Sequence, residues 1–512
     1  MVSIKQTAYA IDARAILDNP SHKDLVQLTG QMDNAHHTVL GNLDVFTRID
    51  SRSAASTYIV TDRPEDFHGL QTMSREEYAR VTDLQNHYIH GQEMIVIDGY
   101  ISNAPQVRTS ARLIIERQNA NVAGMQKFLY FQRKPGGEPE VTVIYTPNLR
   151  AEGYPNDICI AVDLENGVTR VLYSDYFGES KKGGLRMWNK IVYDRGGLPM
   201  HAGCKVVQTK NGPKTVVIIG LSGTGKTTST FRRQGDSKPV QDDFIALMPG
   251  GVVHGTENGC FAKTFALSPE QEPEIYAAVT SPASYLENVY IDDDGRVDFF
   301  NESFTQNGRA VFPMKALERY EDARNIPPAT AIVILNRDQG IVPALARLAP
   351  SQAAAYFMLG ETTGTSAGGK AEAGVALRVP GTNPFFPMPH EKQGNRFHDL
   401  LDAHPIDVYL MNTGWIADKA GDDSKKIKVA DSSICLTAIA EGGVEWVKDP
   451  DFGYEVPKSL PGLDPELIHP QLAFKRLGRL DEYETRVATR KAERHEFLAS
   501  FPGLDAHVAA GC

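Results

Sequence analysis

One run of eight residues constrains this chain more than any other part of its sequence. Residues 220–227 read GLSGTGKT, a complete match to the pattern G-x-x-x-x-G-K-[ST], and they follow the apolar run 216–219. A continuous apolar run of this kind is typical of a strand buried on both faces. Glycines let backbone N–H groups surround phosphate oxygens, and a helix that follows points its positive end at the same anion. The run therefore predicts an α/β fold with a phosphate-binding loop between a strand and a helix.

Side chains at the end of this loop, and an acidic pair beyond it, indicate a site for a nucleotide and a divalent cation. Lys226 is expected to neutralise the β and γ phosphates, and the Thr227 hydroxyl to ligate the cation. Asp242 and Asp243 lie 16 to 17 residues beyond Lys226, and a solvated acidic turn is their alternative interpretation. Neighbouring strand residues face opposite sides, so at most one of the two carboxylates points directly at a metal. The nucleotide-binding residues predicted here are Gly220, Leu221, Ser222, Gly223, Thr224, Gly225, Lys226, Thr227, Thr228 and Asp242.

The composition is that of an acidic globular protein. Of the 512 residues 41% are hydrophobic and 23% charged, close to globular averages, so global disorder is excluded. The chain has 53 Lys and Arg against 64 Asp and Glu, a net charge of −11, which argues against a dedicated nucleic-acid binder. The five cysteines are scattered without CxxC spacing, which favours a reducing compartment. With no signal-peptide core and no membrane-length apolar run, we expect a cytoplasmic protein that binds neither membrane nor nucleic acid.

Patterns along the chain divide it into two predicted domains. A hinge candidate, RGGLP at 195–199, places the boundary near residue 196, between domains of residues 1–196 and 197–512. The predicted elements are strands at 57–60, 141–145, 216–219, 244–247, 331–335 and 408–411 and a C-terminal surface helix at 483–500. The proline-rich segment 380–396 has two alternative interpretations, a mobile lid or a plain surface loop.

Several further motifs, taken as a set, resemble one known family. Residues 176–183 read YFGESKKG, similar to a Tyr-x-Gly-Glu-x-Lys-Lys-Gly segment. The other matches are PMH at 199–201, GCFAKT at 259–264, EPEIY at 272–276, LENV at 286–289, NTGW at 412–415 and VPKSLPGLD at 456–464. Together with the phosphate loop, these motifs resemble the ATP-type phosphoenolpyruvate carboxykinase family. The resemblance is strong over 173–290 and 405–470, and weak before 45 and over 360–400.

The resemblance implies a fold and a reaction. Family members have an N-terminal mixed α/β domain and a C-terminal nucleotide-binding α/β domain that contains the phosphate loop, with the active site in the cleft between them. They decarboxylate oxaloacetate and phosphorylate the resulting enolate with ATP, a reaction of gluconeogenesis that yields phosphoenolpyruvate, CO2 and ADP. They use Mn2+ near the substrate and Mg2+ with the nucleotide.

Carried over residue by residue, the resemblance implies a metal site. Lys182, His201 and Asp243 match the Mn2+ ligands, beside Thr227 for the nucleotide's cation. A lysine ligates a metal only as the neutral amine, so the pKa of Lys182 must be depressed by the cation and by partial desolvation. The alternative interpretations are a surface lysine at 182 and a core histidine at 201.

The resemblance also implies substrate and nucleotide contacts. Arg52 matches an arginine that binds the substrate carboxylate bidentately, and Tyr176 matches a tyrosine lining the substrate and CO2 site. With Lys182 and Lys226 these two complete the predicted catalytic set. Other residues expected at the nucleotide are Glu287 near the ribose and Lys426 and Ser432 near adenine. The alternatives are a surface arginine at 52 and a solvated basic turn at 425–428.

The sequence departs from the family in one region that bears on catalysis. The family's Thr-Glu-Arg-Gly arginine, which reaches the transferring phosphoryl group, is absent from residues 360–378, where Lys370 or Arg378 is a candidate substitute. Two alternative functions therefore stay open. One is a related phosphate-loop kinase that acts on a different carboxylate metabolite. The other is a non-catalytic ATP-binding regulator, which is expected to have lost Lys226, Thr227 or Asp243.

Overall fold

The N-terminal half of the chain builds a large mixed sheet. The structure is a computed structural model that describes residues 11–221, 223–363, 375–417 and 425–512. In spatial order the strands of this sheet are Ala15–Asp18, Glu93–Ile101, Thr109–Glu116, Val141–Thr146, Val168–Leu172, Cys159–Asp163, Thr57–Val60 and Thr72–Met73, with Phe131–Gln132 paired to the second. The helices Ala120–Leu129 and Phe177–Asp194 pack on it, and their apolar side chains share one buried core with its strands.

The C-terminal half builds a second mixed sheet around the strand that precedes the phosphate loop. Its strands in spatial order are Lys238–Gln241, Ala202–Thr209, Gly212–Ile219, Ala329–Asn336, Asp407–Asn412, Ala346–Leu348, Glu455–Pro457 and Trp446–Lys448. Gly212–Ile219, Ala329–Asn336 and Asp407–Asn412 run parallel to one another. Their carboxyl ends therefore meet at one edge of the sheet, where ligands of open α/β sheets bind.

Smaller sheets join the two halves. The strands Leu198–Met200, Ile245–Met248 and Val252–Gly255 form one. A second has the order Gly259–Lys263, Arg309–Pro313, Tyr285–Glu287, Leu43–Val45 and Ala35–His37. Short pairs are Tyr290–Ile291 with Val297–Asp298, Glu361–Thr363 with Ala376–Arg378, and Trp415–Ile416 with Lys425–Lys426. Because the second sheet takes strands from both sides of residue 196, the division of the chain at that residue stays a prediction.

Helices cover both large sheets. They comprise His22–Thr29, Arg75–His90, Ala120–Leu129, Phe177–Asp194, Lys226–Phe231, Pro273–Val279, Pro350–Leu359, Glu391–Ala403, Val429–Glu441, Pro465–Ile468, Pro470–Arg476, Leu480–Ala499 and Ala506–Ala509. Among these described helices, none combines the length and the apolar character that a membrane-crossing helix needs. The mixed α/β class is confirmed, and each strand and helix predicted from the sequence overlaps an observed element.

Candidate active site

The phosphate loop lies between the strand Gly212–Ile219 and the short helix Lys226–Phe231. Gly223 and Gly225 adopt φ angles of +84° and +90°, which L side chains rarely adopt, so the turn requires glycine at both positions. The Arg337 guanidinium donates to the Gly223 carbonyl oxygen at 2.8 Å.

Four nitrogen-bearing side chains converge on the carboxylate of Asp243. Their distances to it are 2.7 Å from Lys181 Nζ and 2.8 Å from Lys182 Nζ to Oδ2, and 2.9 Å from His201 Nε2 and 3.0 Å from Lys226 Nζ to Oδ1. Lys181 also donates to Glu257 at 2.9 Å. The set predicted from the sequence, Lys182, His201, Lys226 and Asp243, is therefore brought together in space.

Separate elements supply these side chains. The two lysines lie in the buried first turns of the helix Phe177–Asp194, and His201 sits between the strands Leu198–Met200 and Ala202–Thr209. Asp243 follows the strand Lys238–Gln241, at the same sheet edge as the phosphate loop. The cluster thus joins the helix of the N-terminal half to the sheet of the C-terminal half.

The pKa values of Lys182 and Asp243 are both shifted within this cluster. Burial is the largest influence on Lys182, and with the charge of Lys181 it outweighs Asp243 and lowers the pKa of Lys182 to about 8. Burial works to raise the pKa of Asp243, but the charges of Lys181, Lys182 and Lys226 hold it well below its ordinary range. A lysine whose pKa is lowered in this way loses its proton more readily than a surface lysine does, and the neutral amine that results can ligate a metal.

The ring of His201 shows that a cation fits here. Its Nδ1 lies 3.0 Å from the Thr382 carbonyl oxygen and its Nε2 lies 2.9 Å from Asp243 Oδ1. Burial, followed by the charge of Lys226, lowers the pKa of His201 to about 4, so the ring is neutral at pH 7 and carries one N–H. A neutral ring donates to only one of these two oxygens. A divalent cation held by His201 and Asp243 would leave Nδ1–H to donate to Thr382, so the residues present fit such a group.

Beside Asp243, the side chains of Asp242 and Thr227 bring a second set of oxygen atoms together. Among the described residues, Oδ1 of Asp242 is buried without a hydrogen-bond partner. Burial and the charge of Asp243 outweigh the opposing charge of Lys226 and raise the pKa of Asp242 to about 6. Thr227 lies within hydrogen-bonding reach of Asp242. A hydroxyl and an orphaned carboxylate oxygen are donors that suit Mg2+. Across the described parts of the chain, no group of three or more His, Cys, Asp and Glu side chains is arranged to hold a metal, so either site depends on lysine or threonine.

These side chains line a cavity of about 370 Å³ between the two halves of the molecule. Arg52, Tyr176 and Lys182 line it from the N-terminal half, and the phosphate loop lines it from the C-terminal half. The Nε atom of Arg52 is buried, and the N–H of the next residue, Ser53, donates to Glu179 at 2.9 Å. The hydroxyl of Tyr176 lies 3.5 Å from Asn307 Nδ2. The predicted contact residues Arg52 and Tyr176 thus share the cavity with Lys182, His201 and Asp243.

Two further cationic side chains line the cavity, and sequence reasoning missed both. Lys263 and Arg309 stand opposite each other on paired strands. Burial, followed by the charge of Arg309, lowers the pKa of Lys263 to about 8. Arg309 donates to Asn307 Oδ1 at 2.8 Å and lies 5.0 Å from the centre of the Phe261 ring. The GCFAKT motif at 259–264 was the available signal for Lys263, whereas nothing local marked Arg309.

The predicted nucleotide residues divide into two groups. Leu221, Gly223, Gly225, Lys226, Thr227, Thr228 and Asp242 line the cavity, and Gly220 and Thr224 complete the same turn. Ser222 lies outside the described residues. Three others do not line the cavity: Glu287, which is fully buried and accepts from the Phe177 N–H at 2.9 Å, Lys426, which is exposed 5.5 Å from the Trp415 ring centre, and Ser432, which is buried in the helix Val429–Glu441. Their predicted roles at ribose and adenine stay predictions.

The candidate substitutes for the missing arginine have different outcomes. Lys370 lies outside the described residues. Arg378 does not line the cavity, although its neighbours Leu377 and Val379 do. Its guanidinium instead contacts Glu361 at 3.3 Å and the Glu493 carbonyl oxygen at 3.1 Å, on the opposite face of its strand. Arg378 is therefore not placed to reach a phosphoryl group.

The proline-rich segment differs from both alternatives predicted for it. Pro380–Thr382 is a 3-10 turn, the residues up to 389 are largely buried, and a helix begins at Glu391. The Asn383 amide donates to Asn189 Oδ1 at 2.7 Å, and the Phe385 ring centre lies 4.3 Å from Lys182 Nζ. The segment is a packed wall of the cavity, because Pro384 and Phe385 line it and the Phe385 ring packs against Lys182 and His201.

The fold and the cavity define a mixed α/β enzyme whose site lies between an N-terminal sheet and a C-terminal sheet with a phosphate loop. The family model described as phosphoenolpyruvate carboxykinase matches residues 14–466. The chain therefore belongs to the phosphoenolpyruvate carboxykinase family. Among curated relatives, the phosphoenolpyruvate carboxykinase (ATP) of Bradyrhizobium diazoefficiens is 34% identical over 385 residues, covering 73% of this chain and 69% of the relative. The enzyme of the same name from Nitrobacter hamburgensis is 31% identical over 507 residues, covering 94% of this chain and 90% of the relative.

Proposed function

We propose that this chain is an ATP-dependent phosphoenolpyruvate carboxykinase, which converts oxaloacetate and ATP into phosphoenolpyruvate, CO2 and ADP in gluconeogenesis. The observation that carries the proposal is the convergence of the phosphate-loop lysine, Lys226, with Lys182 and His201 on Asp243. This convergence supports a nucleotide site and a substrate-side metal site that share one cavity. The printed names of the curated relatives support the same activity.

Arg52 is proposed to bind and orient the oxaloacetate. A guanidinium pairs bidentately with a carboxylate, and Arg52 lines the same cavity as Tyr176. Arginine is fully charged at any working pH, so the pairing does not depend on protonation. Held in this way, the substrate presents its carbonyl oxygen toward the cations of the cavity, which shortens the search for a reactive geometry.

The proposed reaction needs charge stabilisation and no protein nucleophile. When CO2 leaves, the electron pair of the broken C–C bond remains on the substrate as an enolate. The enolate oxygen attacks the γ-phosphorus of ATP, and ADP leaves with the electrons of the broken P–O bond. Lys226, Lys263 and Arg309 are the cations that line the cavity where this negative charge moves, and fixed cations in a water-poor site stabilise it strongly. Phe385 and Leu377 exclude water that otherwise protonates the enolate.

The cations proposed are Mn2+, held by Lys182, His201 and Asp243, and Mg2+ with the nucleotide beside Thr227 and Asp242. When bound, such ions act as Lewis acids that stabilise negative charge on coordinated oxygens. The protein's own part is to keep Lys182 deprotonatable and to fix the His201 ring through Thr382. All five cysteines are free, which suits the reducing cytoplasm that we propose for this protein.

One observation favours a second candidate, a kinase acting on a different carboxylate metabolite. The region 360–378 lacks the family's Thr-Glu-Arg-Gly arginine, and Arg378 faces away from the cavity. Lys263 and Arg309 supply positive charge without that arginine, which is why oxaloacetate remains the proposed substrate. A non-catalytic regulator is less consistent with a site in which Lys226, Thr227 and Asp243 are all present.

The test is an assay of the purified protein with oxaloacetate, ATP, Mg2+ and Mn2+, in which phosphoenolpyruvate and ADP are both measured. We expect both products in equal amounts and their loss in Lys226→Ala and in His201→Ala. ADP formation with another carboxylic acid but not with oxaloacetate supports the second candidate. ATP binding without turnover of any acid contradicts both.

A further inference from the structure

A two-stranded hairpin forms one side of the cavity. It consists of Glu361–Thr363 and Ala376–Arg378, and Glu361 pairs with Arg378 while Thr362 pairs with Leu377. Thr362 and Leu377 line the cavity. Successive strand residues point to opposite faces, so Glu361 and Arg378 both project from the outer face of the hairpin. An isolated two-stranded hairpin is only marginally stable. The face that lines the cavity therefore keeps its position only if the opposite face packs against another element.

The outer face is held by a buried ion pair with the C-terminal helix Leu480–Ala499. Arg494 from this helix contacts both oxygens of Glu361, with Nε at 3.0 Å from Oε1 and Nη2 at 2.7 Å from Oε2. The Arg494 side chain is 1% exposed. Its Nη1 also donates to the Tyr356 hydroxyl at 2.9 Å. A two-pronged pairing of this kind fixes orientation as well as distance.

The second strand of the hairpin is tied to the same helix. Arg378 Nη2 lies 3.3 Å from Glu361 Oε1, and its Nη1 donates to the Glu493 carbonyl oxygen at 3.1 Å. The Arg378 guanidinium lies 5.3 Å from the centre of the Phe497 ring on that helix. The helix Leu480–Ala499 therefore contacts both strands of the hairpin on the face that points away from the cavity.

We propose that the C-terminal helix positions this wall of the active site through Arg494, which acts on Glu361 and so on Thr362 and Leu377. The helix begins at Leu480, whereas the family match ends at residue 466. Arg494 does not line the cavity and does not contact Lys182, His201 or Asp243, so it is a positioning residue and not a catalytic one. The role in turnover rests on the proposed function, while the mechanical coupling of helix to hairpin does not.

The experiment compares Arg494→Met and Arg494→Lys with a matched control, Arg112→Met. Arg112 forms an equally buried two-pronged pair with Asp98, at 2.7 Å and 3.0 Å, between the strands Glu93–Ile101 and Thr109–Glu116, and it does not line the cavity. Methionine keeps most of the side-chain length and removes the charge. Lysine keeps the charge but loses the planar fork.

Kinetic constants are measured at a temperature at which circular dichroism shows all variants folded. We expect kcat in Arg494→Met to fall by at least roughly 10-fold, because displacement of a site wall by about 1 Å is enough for that loss. Arg494→Lys should recover part of the loss. Arg112→Met should keep kcat and both KM values within about 2-fold of the parent, because distant sites act independently. If all three variants keep the parental kcat, the positioning role is wrong.

Hydrogen–deuterium exchange separates this inference from the proposed function. In Arg494→Met, the amides of 361–363 and 376–379 should exchange faster, while those of Glu93–Ile101 do not change; Arg112→Met should show the reverse. Unchanged exchange at the hairpin contradicts the coupling whether or not the parent is active. A parent that makes no phosphoenolpyruvate contradicts the proposed function alone, and the exchange result still decides whether the helix holds the hairpin.

Discussion

This protein contains two charge clusters that are similarly buried but differ in their balance of positive and negative charge. Around Asp243, three lysines and a histidine share one carboxylate, and each of its oxygens has two nitrogen partners within 3.0 Å. Around Glu361, one guanidinium contacts both oxygens with a matched pair of N–H groups, and Arg378 adds a longer contact. The first cluster faces a cavity and the second is enclosed.

This difference in charge balance distinguishes a cluster that is suited to bind an anion from a cluster that fixes the structure. The cavity that Asp243 faces is lined by five basic side chains, Arg52, Lys182, Lys226, Lys263 and Arg309, against three carboxylates, Asp242, Asp243 and Glu272, so positive charge is in excess there. An unbalanced set of buried cations is costly unless an anion completes it. At Glu361 the two-pronged pairing leaves no such need. Charge balance, more than burial, therefore distinguishes the functional cluster from the structural one.

Removal of the phosphate-loop lysine should give the largest effect. In Lys226→Ala we expect kcat to fall by roughly 10³-fold or more, since a cation at the transferring phosphoryl group supplies that much. Product formation is followed with saturating ATP and oxaloacetate. Lys458→Ala, at an exposed lysine, is the control and should match the parent. A loss of less than about 10-fold in Lys226→Ala contradicts the view that the Asp243 cluster is completed by a phosphate.

Neutralising Asp243 should remove the metal and release its lysines. In Asp243→Asn we expect a loss of roughly 10²–10³-fold in activity and weaker Mn2+ binding, because the anionic ligand is gone and three buried lysines lose their counter-charge. Mn2+ binding is measured directly by electron paramagnetic resonance. Asp236→Asn, at an exposed aspartate, serves as the control. Unchanged Mn2+ affinity in Asp243→Asn would place the metal elsewhere.

Arg309 tests whether the cations missed from the sequence belong to the anion site. In Arg309→Met we expect kcat to fall by roughly 10²-fold, comparable to the loss of one donor that stabilises developing charge. Arg324→Met removes an exposed arginine and should leave the rate unchanged. If Arg309→Met raises only the KM for oxaloacetate, the arginine binds substrate without stabilising the transition state.

Whether the sequence predicted a feature of the two clusters depends on whether neighbouring residues along the chain encode that feature. The strand, loop and helix around Lys226 follow from a pattern within about 15 residues, and the lysine pair at 181–182 and His201 came from short motifs. Lys226, His201 and Asp243 meet because they lie at strand ends along one sheet edge, whereas the lysine pair is brought there by the helix Phe177–Asp194. Local pattern was enough for this part of the site.

The remainder depends on contacts between distant segments. Arg309 reaches the cavity because its strand pairs with Gly259–Lys263, and that register is not written in either strand alone. The segment after Pro380 reads as a loop from its prolines, yet it is buried by contacts with Asn189 and Lys182, almost 200 residues earlier. Arg494 likewise meets Glu361 from more than 130 residues away. Tertiary burial overrode composition at these positions.

The acid sensitivity of the Glu361 cluster is the smallest effect and tests the structural side of the comparison. Burial works to raise the pKa of Glu361, but the charges of Arg494, Arg490 and Arg378 outweigh it and lower the pKa from 4.5 to about 2. A carboxyl whose folded pKa lies below its unfolded value stabilises the fold above the unfolded value. That stabilisation is lost as the pH falls from about 4.5 toward 2, and the shift corresponds to roughly 3 kcal/mol.

Glu361→Gln isolates this contribution from the other acids that titrate over the same range. Above pH 5 the variant should melt several degrees below the parent, because Arg494 is left buried without its counter-charge. As the pH is lowered toward 2, the parent loses the ionised Glu361 and the two melting temperatures should converge. Melting curves at half-unit pH intervals measure the gap, with Asp98→Asn at the control ion pair treated in the same way. A gap that stays constant from pH 6 to pH 2 means that the ionised form of Glu361 does not hold the hairpin, and the two clusters then differ in position but not in charge balance.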